Sequence, residues 1–302
     1  MGLTLGTAAN PKGREKVRQE LTAPIADASA ATIGDRDLGL TAFRQLGYVI
    51  CNWPLFEQAK LVRLRSIAKA YAVEAAAGIR SADLNQPHFD DPRLFEFLLD
   101  ARPLDIAERL LGSDLLLWSS QFFCKPALTG RSVPWHDDAH YWRRFIDPVR
   151  VVSIFVALND TDSSNGCLRV LAGSHVRSFE PRYRRSPAKA NPFFPFSIPE
   201  QTLDPTRIVD VQLRAGEFVV FDSRTLHGSN ANTSQHDRFC FTMRYAPTTC
   251  HVDSIGLQPL WRIKRSAVGV VRRMLRGRDI YRHKIYLVRG RDHAGNRYEP
   301  LP

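Results

Sequence analysis

The sequence predicts an α+β fold in which helices come first and a β-sandwich or barrel of many short strands follows. Three observations carry this. Apolar residues recur at helical spacing before Asp114. After Asp114 the period changes to short apolar or alternating runs, and turn residues separate most of them. The 302 residues suit one large domain or two small ones, and 44% hydrophobic residues supply a real core.

The elements follow in order. Residues 1–34 are rich in Ala, Thr and Ser and weakly patterned, which predicts a loose N-terminal arm with a short helix. From Asp37 the chain reads as a helix stopped by Gly47 and then a strand. Leu61, Leu64, Ile67, Ala70 and Tyr71 mark a helix over 55–75, and two short helices are expected over 93–99 and 104–111. Strands are expected over 115–123, 149–158, 168–171, 208–213, 218–221 and 239–245. The stretch 177–205 breaks this pattern with six prolines, five basic side chains and Phe193, Phe194 and Phe196. It is expected to be a partly ordered lid over a substrate mouth, with a passive surface insertion as the alternative. The main domain is then 35–250, and 251–302 is a basic C-terminal extension packed on it.

Composition narrows the classes. The first residues lack the apolar core of a secretory signal, and the best apolar run, 151–158, is too short to span a bilayer. A soluble, cytoplasmic protein is expected. Five cysteines at irregular spacing, with no CxxC, argue for buried reduced thiols in strands rather than a disulfide framework or a zinc knuckle. The net charge is +11, and twelve basic residues against Asp279 and Asp292 between Trp261 and Arg297 account for nearly all of it. Such a block attracts an acidic partner or is a solvated face, and both readings stand at this point. No nucleic-acid-binding motif accompanies it, so nucleic acid is not the expected partner.

The chemistry concentrates in Trp135-His136-Asp137-Asp138. In a segment that reads as strand, residues two apart share a face, so His136 and Asp138 converge while Asp137 points away. A second imidazole arrives at His227. Two histidines and one carboxylate with the other positions open form the donor set of non-haem Fe(II) oxygenases. Arg238 lies eleven residues past His227, and its planar guanidinium is the natural bidentate partner of a carboxylate. The residues suggest an iron site beside an anchor for an organic acid. His140 is expected in the loop after the strand. His236, His251 and His283 have no carboxylate partner at useful spacing and are expected to be structural or surface residues.

Taken together, three blocks resemble the phytanoyl-CoA dioxygenase family of Fe(II)/2-oxoglutarate-dependent oxygenases. They are Pro134-Trp135-His136-Asp137-Asp138 with Tyr141-Trp142, then Asn165-Gly166-Cys167-Leu168 through Gly173-Ser174-His175, and lastly His227-Gly228-Ser229 with Asn232, Ser234, Arg238 and Arg244-Tyr245. The resemblance spans roughly Leu38 to Pro247 and makes the β part a double-stranded β-helix, a jelly-roll or cupin-like barrel with N-terminal helices packed on one sheet. It implies that His136, Asp138 and His227 hold Fe(II), that 2-oxoglutarate chelates the metal through its C1 carboxylate and keto oxygen, and that O2 takes the remaining position. Arg238, helped by Ser229, then holds the far carboxylate. Lys125 matches a basic position that family members use near the cosubstrate. His175 has a structural role in the family. Where many relatives have Trp, this chain has Phe155, which keeps the packing role and loses an indole N–H.

The retained carboxylate at Asp138 favours hydroxylation or a related oxidation over halogenation, for which related enzymes use a small residue there. Substrate contacts are expected from His140, Tyr141, Trp142 and Arg143, from the lid, and from the C-terminal segment. The first reading is therefore a small-molecule hydroxylase that forms succinate, in secondary metabolism for instance, on an anionic or thioester-linked substrate. The alternatives are an oxygenase of a macromolecular or carrier-tethered substrate, and a jelly-roll binding protein without catalysis. Oligomeric state is left open. Asp160 to Gly166 resembles the start of an EF-hand, but the glycine comes one position late and Leu171 stands in place of the closing Glu.

Overall fold

The computed structural model describes residues 32–33, 39–78, 84–176, 183–185, 195–253 and 283–302. Of the expected lid, 183–185 and 195–205 are described, and of the basic extension 251–253 and 283–302; residues 1–31 and 34 of the expected arm lie outside the described residues. No helix among the described residues is long and apolar enough to cross a membrane.

Helices gather where apolar spacing placed them. Helix α1 (Leu40–Leu46) ends at Gly47, whose φ of 82° lets its N–H reach Phe43 O at 2.8 Å. A Cβ there would meet His175 Nδ1 and Thr225 Oγ1 at 2.6 Å each, so the stop also brings the Gly173-Ser174-His175 block close. His175 Nε2 donates to Arg44 O at 3.0 Å, the structural role expected of it. Helix α2 (Gln58–Ala76) buries Leu61, Leu64, Ala68 and Tyr71 along one stripe. Two short helices follow near their expected places: a 3-10 turn at Pro92–Leu94 runs into α3 (Phe95–Leu98), and α4 (Ala101–Leu111) starts three residues before the expected 104. Asp100 separates the last two by accepting from Arg102 N at 3.0 Å as an N-cap.

Fifteen strands are described. In chain order β1 is Thr32–Ile33, β2 Tyr48–Cys51, β3 Leu115–Lys125, β4 Val133–His136, β5 Ile146–Asp147, β6 Val152–Ala157, β7 Leu168–Leu171 and β8 Arg184–Arg185. Then come β9 Phe196–Ser197, β10 Ile208–Val211, β11 Phe218–Asp222, β12 His227–Ser229, β13 Arg238–Pro247, β14 His251–Val252 and β15 Tyr286–Arg289. The larger sheet runs β1-β2-β11-β6-β13-β3-β15 and the smaller β10-β7-β12-β4. Apart from the parallel β1–β2 pair, the ladders are antiparallel.

Side-chain alternation separates two cores. Phe239, Phe241, Met243 and Tyr245 of β13, with Val152, Ile154 and Val156 of β6, pack beneath the helices together with Leu64, Phe97 and Ile106. The intervening Cys240, Phe155 and Ala157 join Tyr48, Ile50, Val170, Val211 and Phe221 in a second core shared by the two sheets. This is the expected double-stranded β-helix, with helices on the outer face of its larger sheet. Of the cysteines, Cys51, Cys124 and Cys240 lie in strands, whereas Cys167 and Cys250 sit in connections; all five are free. The C-terminal residues return as β15 along the edge of β3, where Arg289 pairs with Asp105 and Glu108 of α4.

Two histidines, His88 buried and His283 half-buried, fasten this return. His88 shares a hydrogen bond with Ser120 Oγ at 2.7 Å, while His283 accepts from Gln86 Nε2 and donates to Trp118 O, both at 2.8 Å. Burial pushes His88 down to about 3 and His283 down to about 4. Both bases are held neutral in the fold, so below an unfolded value of about 6.5 the unfolded chain binds more protons and stability falls with pH. Between pH 6 and 4.5, each should remove about 1.4 kcal/mol per pH unit. His88→Gln should flatten this slope in urea unfolding followed across that range. An unchanged slope would remove His88 as a contributor.

Candidate metal centre

Strands β4 and β12 are neighbours, and His136 stands directly opposite His227 in their ladder. Directly opposed residues on adjacent strands bring their Cβ atoms to about 4.5–5.5 Å, and the two imidazole centroids lie 4.3 Å apart. The expected same-strand geometry of His136 and Asp138 needs correction. Strand β4 ends at His136, Asp137 caps the next helix, and Asp138 opens helix α5 (Asp138–Trp142). Asp137 Oδ1 accepts from His140 N at 2.6 Å, which ends the strand and turns Asp138 inward. His140 is therefore helical, not in a loop. The convergence itself holds: ligand atoms of His136, Asp138 and His227 lie within 4.8 Å of one another, and all three residues are buried.

The imidazoles are oriented by backbone carbonyls. His136 Nδ1 donates to Pro134 O at 2.8 Å and His227 Nδ1 to Thr225 O at 2.9 Å. A proton on Nδ1 leaves the lone pair on Nε2. Burial, with His227 beside it, holds His136 well below the usual imidazole range. His136 Nε2 lies 3.8 Å from Asp138 Oδ1.

A second cluster lies farther along the same interior. Arg238 and Lys125 stand directly opposite each other at the β13–β3 pairing, and both are buried. Arg238 Nη1 donates to Gly166 O at 2.6 Å, and Lys125 Nζ donates to Asn230 O. Gly166 has a φ of 74°, and a Cβ there would meet Asn230 O at 2.5 Å; the Asn165-Gly166 block is a site of close approach. Arg238 Nε is buried without a hydrogen-bond partner. Burial, then the neighbouring Arg238, pushes Lys125 down to about 7. Gly166 is two residues from Leu168, which pairs with Ser229, itself two residues from His227.

The remaining expected residues fall around α5. His140 stacks on Tyr183 at 3.8 Å, and Tyr183 donates to Asp137 Oδ2 at 2.5 Å. Tyr141 donates to Phe196 O, and Trp135 bridges to Ile198, so the described ends of the expected lid rest on this turn. Trp142 packs edge-on against Trp118, while Arg143 is exposed. Phe155 keeps its packing place, 5.8 Å from Phe123. A polar groove lined by Glu57, Lys60, Arg63, Glu96, Asp100 and Arg102 lies among the helices and contains none of these residues.

The family model for phytanoyl-CoA dioxygenase matches residues 54–240. The chain belongs to the phytanoyl-CoA dioxygenase family. It is 26% identical over 212 residues to the peroxisomal phytanoyl-CoA dioxygenase of Bos taurus, covering 69% of this chain and 62% of that protein. It is 31% identical over 184 residues to the ectoine dioxygenase of Bordetella bronchiseptica, covering 57% and 60% respectively. The chain thus spans about three-fifths of the length of these curated relatives. Among solved structures, the apo non-heme monooxygenase ThoJ superposes with a TM-score of 0.63 at 24% identity, covering 87% of each chain. EctD from S. alaskensis with 2-oxoglutarate and 5-hydroxyectoine gives 0.56 at 22%, covering 76% of this chain and 78% of that one. These likenesses establish the shared fold.

Within this family frame, sequence reasoning missed two neighbours of the centre. Tyr183 sits in the lid segment, and nothing local ties it to Asp137. Arg244 was part of a matching block without a role, although it lies six residues past Arg238 on one strand and so shares its face.

Proposed function

We propose that this protein is an Fe(II)- and 2-oxoglutarate-dependent dioxygenase that oxidises an aliphatic C–H of a small molecule and converts 2-oxoglutarate to succinate. The observation that carries this is the buried His136–Asp138–His227 group, all within 4.8 Å, at the interior of a family jelly roll. Two imidazoles and one carboxylate suit Fe(II) and leave positions for a chelating acid and a gas. The buried, like-charged pair Lys125 and Arg238, with an orphaned Nε on the latter, suits a dianionic cosubstrate. Bound iron would supply the redox chemistry that activates O2.

The chain's own residues do the rest. His136, Asp138 and His227 hold the metal. Arg238 and Ser229 bind the far carboxylate of 2-oxoglutarate, with Lys125 as the second cation. Burial of the ligand set excludes bulk water, which protects a reactive centre. The turn at α5, with His140, Tyr141, Trp142 and Arg143, borders the substrate side beneath the described ends of the 177–205 segment. The names of relatives, phytanoyl-CoA dioxygenase and ectoine dioxygenase, support a small-molecule substrate, free or thioester-linked.

Anaerobic titration of the Fe(II)-loaded protein with 2-oxoglutarate tests this. A weak, saturable visible charge-transfer band is expected, followed by substrate-stimulated succinate release across a panel of small acids and thioesters. No band at any 2-oxoglutarate concentration would sink the assignment.

A further inference from the structure

Two orphaned atoms face each other beside the candidate centre. Asp138 Oδ2 and Arg244 Nε are both buried, and neither has a hydrogen-bond partner. They lie 3.6 Å apart, about 0.7 Å beyond a charge-assisted bond of about 2.9 Å. Asp138 Oδ1 instead faces His136 Nε2 at 3.8 Å. The carboxylate is divided: one oxygen turns to the imidazoles and the other to a guanidinium.

Arg244 is itself tightly held. Its guanidinium carbon sits 5.3 Å from the Trp142 ring centre and 5.9 Å from that of Phe123, and Nη1 donates to Gln121 Oε1 at 3.5 Å. A buried guanidinium braced by two rings and an amide has little freedom to seek another acceptor. If Asp138 binds a metal through one oxygen, its other oxygen becomes a buried acceptor that needs a donor. Single-oxygen binding also keeps positions open for a chelating cosubstrate.

We propose that Arg244 is a positioning residue that takes the outer oxygen of Asp138 and so fixes the inner oxygen as a single metal ligand facing His136 and His227. This rests on the metal-centre reading above. Through space, the positive charge of Arg244 repels a divalent cation, so removing that charge alone should tighten metal binding. Removing the partner that orients Asp138 should loosen it. The two effects have opposite signs, and one variant separates them.

The test is anaerobic titration of the full chain with Co(II), which binds such sites at least as well as Fe(II), reading affinity and visible d–d bands. Arg244→Met should weaken Co(II) on the order of 10–100-fold and alter the bands. Arg244→Lys should recover part of the loss, because a point charge replaces the fork imperfectly. In an Asp138→Ala background, Arg244→Met should leave Co(II) affinity equal or tighter. Unchanged or tighter binding in Arg244→Met with Asp138 intact overturns the proposal. An equal loss in the Asp138→Ala background also overturns it, because Arg244 would then act on the fold rather than through Asp138. Circular dichroism checks folding, and Arg244→Gln carries the same comparison if the Met variant does not fold. If wild type binds no Co(II), or His136→Ala binds it equally well, the metal centre falls and this proposal with it.

Discussion

His136→Ala and His227→Ala each abolish Fe(II)-dependent turnover of 2-oxoglutarate while leaving the fold intact. Each removes one of three donors that lie within 4.8 Å of one another. Two remaining protein ligands hold a labile divalent ion far more weakly and in a poorly defined geometry, since even outer-shell losses cost about 10–100-fold in affinity. The fold should survive because β4 and β12 are joined by backbone ladder bonds, which alanine retains. The side-chain bonds lost, His136 Nδ1 to Pro134 O and His227 Nδ1 to Thr225 O, are local, each spanning two residues. Succinate release, Co(II) titration and thermal unfolding of each variant check this. Succinate production at the wild-type level by either variant would remove that histidine from the ligand set.

Much of this architecture was legible because it is local. Strand β7 begins and ends where its apolar run does, and α2 follows the spacing of Leu61, Leu64 and Tyr71. The glycine stop at Gly47 was readable for the same reason. Long-range and capping effects were not. Asp138 was picked out by strand alternation, yet a cap at Asp137 ends the strand at His136, two residues before Asp138, and Asp138 reaches His136 from a helical turn. The opposition of His136 and His227 depends on the pairing of two short strands distant in sequence, which no local pattern encodes. The two helices on either side of Asp100 were expected, but α4 starts three residues before the expected 104 because Asp100 caps it through one side-chain bond. Arg244 shares the strand face of Arg238, but its importance depends on where α5 delivers Asp138. The clasp of Tyr183 on Asp137 likewise joins a proline-rich segment to the cap, across a sequence distance that periodicity does not reach.

Arg238→Ala should raise the apparent KM for 2-oxoglutarate strongly and leave metal binding nearly unchanged. The guanidinium is buried, donates to Gly166 O and keeps its Nε without a partner, the arrangement of an anchor waiting for a carboxylate. Truncating one partner of a buried charge-assisted pair costs on the order of 2–5 kcal/mol, or roughly 30-fold to a few thousand-fold in affinity. Part of that loss comes from the stranded cosubstrate carboxylate, which would meet only Ser229 and Lys125. Lys125 stands opposite Arg238 in the ladder, but its Nζ is already engaged by Asn230 O; it compensates weakly. Arg238→Lys should recover only part of the affinity, because an ammonium cannot reproduce the planar fork. The loss should appear in KM more than in kcat if the anchor binds ground and transition states alike. Co(II) titration separates this from general loosening, since β13 anchors the larger sheet and a disturbed strand would weaken metal as well. An unchanged KM in Arg238→Ala moves the anchor elsewhere, with Lys125→Met as the next variant to measure.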